Sequence, residues 1–215
     1  MDEFRDPMNI GKAARIALIC WLVASAIYCG AAIYSIVGIS AYQSGSSSAL
    51  ADLETVDLVS MISGGIYSLA YLVCVVVIGR WIYRVNKNAW QFSDAMTVSP
   101  GWNVGSFFIP ILNLFRPFSG VRETWQASHA PIDADTVPVP AIMRLWWAGW
   151  LIAGMFGQLS FRLGMRADTL EDFVEVAWVD IAGTPFDFIT GLSLLWVIGR
   201  LTEVQSHLRD HEVFE

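Results

Sequence analysis

A chain of 215 residues with 55% apolar side chains, ten tryptophans and a mean hydropathy of +0.50 is too greasy for a soluble domain of this size, because the apolar residues come in long blocks. A formal net charge of −7, with no basic run or stripe, argues against a nucleic-acid partner. An integral membrane protein is the class that fits.

Residues 1–15 are polar and carry Arg5, Lys12 and Arg15. Residues 16–39 then run without a charge, long enough to cross a bilayer with some tilt. The block is too long for the apolar region of a cleaved signal, and Asp2, Glu3 and Asp6 dilute the positive start, so it is expected to stay as the first span. Residues 40–58, with Gly45, Ser46, Ser47 and Ser48 followed by Asp52, Glu54 and Asp57, have loop composition and no lysine or arginine. An outer loop is expected there. The second span covers 59–82 and leaves through Arg80, Trp81, Tyr83 and Arg84, a mixture of snorkelling cations and interfacial rings that marks an inner exit. Residues 84–96 continue as a polar, helical cytoplasmic segment.

Residues 102–128 are apolar at first but are interrupted by Pro110, Asn113, Arg116 and Pro117. Even fully helical, 102–115 would rise only ~21 Å, against a hydrocarbon core of ~30 Å, so the stretch is expected to be re-entrant or interfacial. Pro131, Pro138 and Pro140 make the next residues a linker. The third span, 145–164, opens on Trp146, Trp147 and Trp150 and repeats Gly149, Ala153 and Gly157, a small-residue face for packing within the monomer or between protomers. At 168–180 the acids Asp168, Glu171, Asp172 and Glu175 lie opposite Leu170, Phe173, Val174 and Ala177, as in an amphipathic helix on the outer surface. Pro185 opens a fourth span at 186–199, closed by Arg200 before a polar tail.

Charge decides between four spans and five. With a re-entrant 102–128 the inside receives Arg5, Lys12, Arg15, Arg80, Arg84, Lys87, Arg116, Arg122, Arg144, Arg200 and Arg209, which is eleven cations against Arg162 and Arg166 outside. A fifth span would flip everything after it, leaving eight inside and five outside. The positive-inside rule selects four spans with both termini cytoplasmic.

The residues Arg80 to Arg84, Asn86, Asn88, Ser99 to Trp102, then Phe108, Ile109, Pro110, Ile111, Asn113, Leu114, Arg116, Pro117 and Phe118, with Glu123 and Trp125, resemble a bacterial membrane family, domain of unknown function 4328. Its signature is similar to a W/F-x-x-R exit, an asparagine-bearing turn and an F-[IV]-P-I-x-N-L-x-R-P core. The resemblance is specific over 80–128 and general in hydropathy elsewhere. It implies a multi-span bacterial membrane protein and no particular activity; the expected location is the bacterial inner membrane.

Polar groups at membrane depth are expensive, which singles out Asn113, Arg116 and Glu123. Arg116 would anchor a lipid phosphate or small anion with Asn103 and Asn113 as orienting donors. Alternatively, Asn113 pairs backbone freed beside Pro110 and Pro117 while Arg116 snorkels. Arg162 and Asp187, at similar depth, are expected to form an interhelical pair. The acidic face at 168–175 lacks a calcium-loop pattern, and His207 and His211 lack a third ligand, so no metal or cofactor is expected. Cys20, Cys29 and Cys74 read as packing residues. No nucleophile elbow, zinc motif or phosphate loop is present, which leans against an enzyme. The expectation is an all-α membrane protein of four transmembrane helices acting as an interaction or scaffold subunit, in contact with lipids and with a protein partner or second copy. The alternative is a small transporter or an anion- or lipid-binding protein using 102–117.

Overall fold

The computed structural model describes residues 4–45 and 49–212, the side chains at 49–52 and 209–212 excepted. The described residues are helical, with no strand among them. In chain order the helices are α1 (Met8–Gln43), α2 (Ala49–Phe92), α3 (Pro100–Gly105), α4 (Arg116–His129), α5 (Ala141–Gly164) and α6 (Leu170–Glu212). Three stretches, Met8–Gln43, Leu53–Phe92 and Leu170–Leu208, are long and apolar enough to cross a membrane.

Three boundaries differ from the sequence expectation. The loop expected at 40–58 is largely helical, because α1 runs on to Gln43 and α2 starts at Ala49. Gly45, at φ +80°, closes α1 in the left-handed conformation that a helix C-terminus favours. Glu54 and Asp57 then lie in the second and third turns of α2. Ser46, Ser47 and Ser48 lie outside the described residues.

The acidic stretch 168–180 and the apolar stretch 186–199 form one helix, α6, of 43 residues, with Pro185 inside it. Proline removes one backbone donor. Around it the hydroxyls of Thr184 and Thr190 reach back to the carbonyls of Asp180 and Phe186 at 2.9 and 2.7 Å. The start of α6 is fixed by a reciprocal cap: the Asp172 N–H donates to Thr169 Oγ1 at 3.2 Å, and Asp172 Oδ2 accepts the Thr169 N–H at 2.9 Å.

Residues 102–128 are not one element. α3 spans six residues, 3-10 turns follow at Ser106–Phe108 and Leu112–Leu114, and the fourteen-residue α4 begins at Arg116 with Pro117 in its first turn.

The chain forms two compact units. The first comprises the described residues of Met1–Leu18, Val73–Trp147 and Leu192–Glu215. In it α4 packs against α3 and both 3-10 turns, and its core holds Trp81, Val85, Met143, Trp146, Val197, Ile198 and Leu201. The second unit comprises Ile19–Leu72 and Ala148–Gly191. Here small residues set the helix spacing: a Cβ on Gly149 would lie 2.9 Å from both Ile189 Cγ2 and Thr190 Oγ1, and one on Gly183 would lie 2.9 Å from Phe156 Cβ. Such close approach supplies dispersion contacts where lipid removes any hydrophobic drive between helices.

Candidate functional site

The four residues expected to form an anion or headgroup site sit in different surroundings. Asn103 is fully buried against Gly120 of α4, and neither polar atom of its amide has a partner among the described residues. Asn113 is half-buried with its Oδ1 likewise unpartnered. Arg116 is exposed. Glu123 is a clamp: its carboxylate accepts the Thr97 N–H, the Thr97 hydroxyl and the Val98 N–H at 2.9, 2.8 and 2.9 Å, tying the turn before α3 to α4. Pro110 is exposed and Pro117 buried.

What fills the first unit is an amide network drawn from residues ordinary in the sequence. Gln205, fully buried, donates to the Val85 carbonyl at 2.8 Å and to Ser128 Oγ at 2.9 Å, and accepts from Asn88 Nδ2 at 3.1 Å. Asn88 also donates to the Arg5 carbonyl at 2.9 Å, and Asn86 donates to Thr124 Oγ1 at 3.1 Å. Trp81 Nε1 reaches Thr202 Oγ1 at 3.0 Å. These bonds lock α2, α4 and α6 together, and buried amides need such partners.

Chemistry concentrates in the second unit. Asp180 and Asp187 are seven residues apart on α6, two turns along one face and ~10 Å along the axis. Tyr28 of α1 donates to Asp180 Oδ2 at 2.7 Å. Asp187 Oδ2 accepts from Tyr67 of α2 at 3.1 Å and from Ser25 of α1 at 2.9 Å. Ser160 of α5 lines the same space as these groups. The two tyrosine rings stack on each other, with centroids 5.2 Å apart.

Both carboxylates and both tyrosines line a cavity of about 430 Å³. Ala153 and Gly157 form part of its wall, so two of the three small residues read as a packing face leave space while Gly149 makes the close helix contact. Asp187 is therefore at a site, but its partners are hydroxyls. Arg162 is exposed, and the expected ion pair between the two is not formed among the described residues. Asp180, Tyr28, Tyr67 and Ser25 escaped the sequence reading. The one usable signal was the seven-residue spacing of the two aspartates.

This arrangement suits a positive ligand: two carboxyl groups and two tyrosine rings line one space, within helices whose apolar length fits a membrane. Among the described residues no cluster of three or more His, Cys, Asp or Glu side chains is assembled for a metal ion.

Residues 45–203 match the family described as a domain of unknown function (DUF4328), and the chain belongs to that family. No curated protein and no solved structure matches it.

Proposed function

We propose that this member of the DUF4328 family is a multi-span membrane protein that holds a small cation in the cavity between Tyr28, Tyr67, Asp180 and Asp187, as a carrier or small transporter does. The observation that carries the reading is the pair of hydroxyl-held carboxylates lining a cavity in helices otherwise apolar enough for lipid. Ionisable groups at such depth are costly and mark ion or substrate pathways. A purely structural pair would fill the space between its members; this one borders open volume.

In this reading α5 is a fourth span. Its 24 residues extend ~36 Å, enough for the hydrocarbon core. The segment 102–115 does not cross, because no helix in it exceeds six residues. It is re-entrant or interfacial, both termini are cytoplasmic, and the membrane is the bacterial inner membrane. The eleven-to-two distribution of cations supports that orientation.

The test is the melting temperature of detergent-purified protein titrated with sodium, calcium and alkylammonium salts. The wild type is stabilised by at least one of them, as mass action requires of a ligand that binds the folded state. The Asp180→Asn/Asp187→Asn double variant loses that response while remaining folded. Equal responses in both proteins would refute a site at these carboxylates.

A second reading, contact with lipids or a partner at the inner face, is favoured by the broken segment itself. Trp102, Phe108, Ile111 and Phe115 are all more than half exposed, and Arg116 follows directly. Rings and aliphatic side chains beside an exposed arginine suit an interface with anionic headgroups.

A further inference from the structure

We infer that the cation held in the cavity is a small organic ammonium ion and not a bare metal ion; this deepens, and rests on, the cation-site reading above. Size is the first reason. A cavity of about 430 Å³ has room for roughly a dozen waters at ~30 Å³ each, far more than one desolvated metal ion fills. Pockets that hold small organic molecules begin at ~300 Å³.

Ligand supply is the second reason. A hard divalent cation takes about six to eight oxygens at ~2.3–2.6 Å. The cavity offers two carboxyl groups two helical turns apart on α6, Asp180 already accepting the Tyr28 hydroxyl and Asp187 those of Tyr67 and Ser25. The two side chains spring from backbone positions ~10 Å apart along the helix axis, a spacing that suits two separate contacts better than one shared ion. An alkylammonium ion needs only one carboxylate for its charged head and apolar surface for its carbon.

The wall is the third reason. The stacked Tyr28 and Tyr67 rings border the same space as the carboxylates, and Phe156, which stacks on Phe186 at 5.5 Å, lines it as well. Ring faces within ~6 Å attract ammonium groups and are the recurring device for recognising them. Gly157, where an added Cβ would meet nothing within 4 Å, leaves part of the lining without side chains, so width is available for an alkyl group.

The test is calorimetric titration of the purified full-length protein with n-butylammonium chloride. Sodium chloride, calcium chloride and neutral 1-butanol are run alongside, on the wild type and on Asp187→Asn, Asp180→Asn, Tyr67→Phe and Tyr67→Leu. The expected result is saturable butylammonium binding that butanol does not reproduce. It weakens at least tenfold in Asp187→Asn or Asp180→Asn, changes no more than threefold in Tyr67→Phe, which keeps the ring, and weakens clearly in Tyr67→Leu, which does not. A far-ultraviolet melt establishes that each variant is folded; Asp180→Asn and Asp187→Asn serve as independent charge removals should either fail. Saturable binding of sodium or calcium without butylammonium binding would overturn the ammonium assignment and leave the cation site standing. Binding of no cation would overturn both, and butylammonium binding that butanol matches and neither aspartate variant alters would show partition into apolar space and overturn the assignment.

Discussion

Tyr67 donates its hydroxyl to Asp187 Oδ2 at 3.1 Å, joining α2 to α6 across 120 residues of chain. The bond holds the ring in place and orients the carboxyl group. Replacing Tyr67 with Phe removes one hydrogen bond to a carboxylate, which typically contributes about 1.5–3 kcal/mol. Ser25 still donates to the same oxygen at 2.9 Å, so the loss should fall at the lower end. A drop in denaturation midpoint of that size is expected; no change would mean that the bond is not formed in the membrane-solubilised protein.

Gln205 is the most connected buried amide, with three partners on α2 and α4. Gln205→Leu keeps volume but removes three hydrogen bonds, while the Asn88 amide keeps the Arg5 carbonyl and the Ser128 hydroxyl keeps the Thr124 carbonyl. Each lost bond contributes about 0.5–1.5 kcal/mol, so a loss of roughly 2–4 kcal/mol is predicted in an unfolding titration.

Gly120 and Asn103 are a matched pair, because a Cβ at position 120 would overlap the Asn103 carboxamide. Gly120→Ala should destabilise by about 1–3 kcal/mol through overpacking. Asn103→Ala, which removes an amide with no partner among the described residues, should cost less and relieve most of the Gly120→Ala defect in the double variant. Strict additivity of the two would contradict the contact.

Glu123 holds the turn at 97–98 through three hydrogen bonds. Glu123→Ala is expected to accelerate amide exchange at Thr97 and Val98 while leaving the bonds of α6 unaffected, as read by hydrogen–deuterium exchange. Arg116→Gln, at an exposed position, is expected to reduce co-purified anionic lipid without lowering the melting temperature; unchanged lipid would count against the headgroup contact.

The long helices were legible because charge-free blocks and their arginine-bearing ends reflect the bilayer directly. The merger of 168–180 with 186–199 was not, because Pro185 reads as a boundary locally, whereas the helix runs through it at the loss of one backbone donor. Asp187 stood out as a charge in an apolar run. Asp180 did not, because it ends an acidic stretch that looks like a solvated face. Tyr28 and Tyr67 lie in apolar runs where nothing local announces that a hydroxyl will meet a carboxylate on a distant helix. Matching Arg162 to Asp187 by depth failed for the same reason: depth says that a charge needs a partner, not whether the partner is a cation or two hydroxyls.

Carbodiimide labelling tests the cation site most directly, since dicyclohexylcarbodiimide enters the bilayer and modifies carboxyl groups there. In native membranes, peptide mass spectrometry should locate adducts at Asp180 or Asp187, and butylammonium present during the reaction should suppress them. Adducts confined to the acidic positions 168–175, or modification of Asp180 and Asp187 that no cation slows, would contradict a cation site in the cavity.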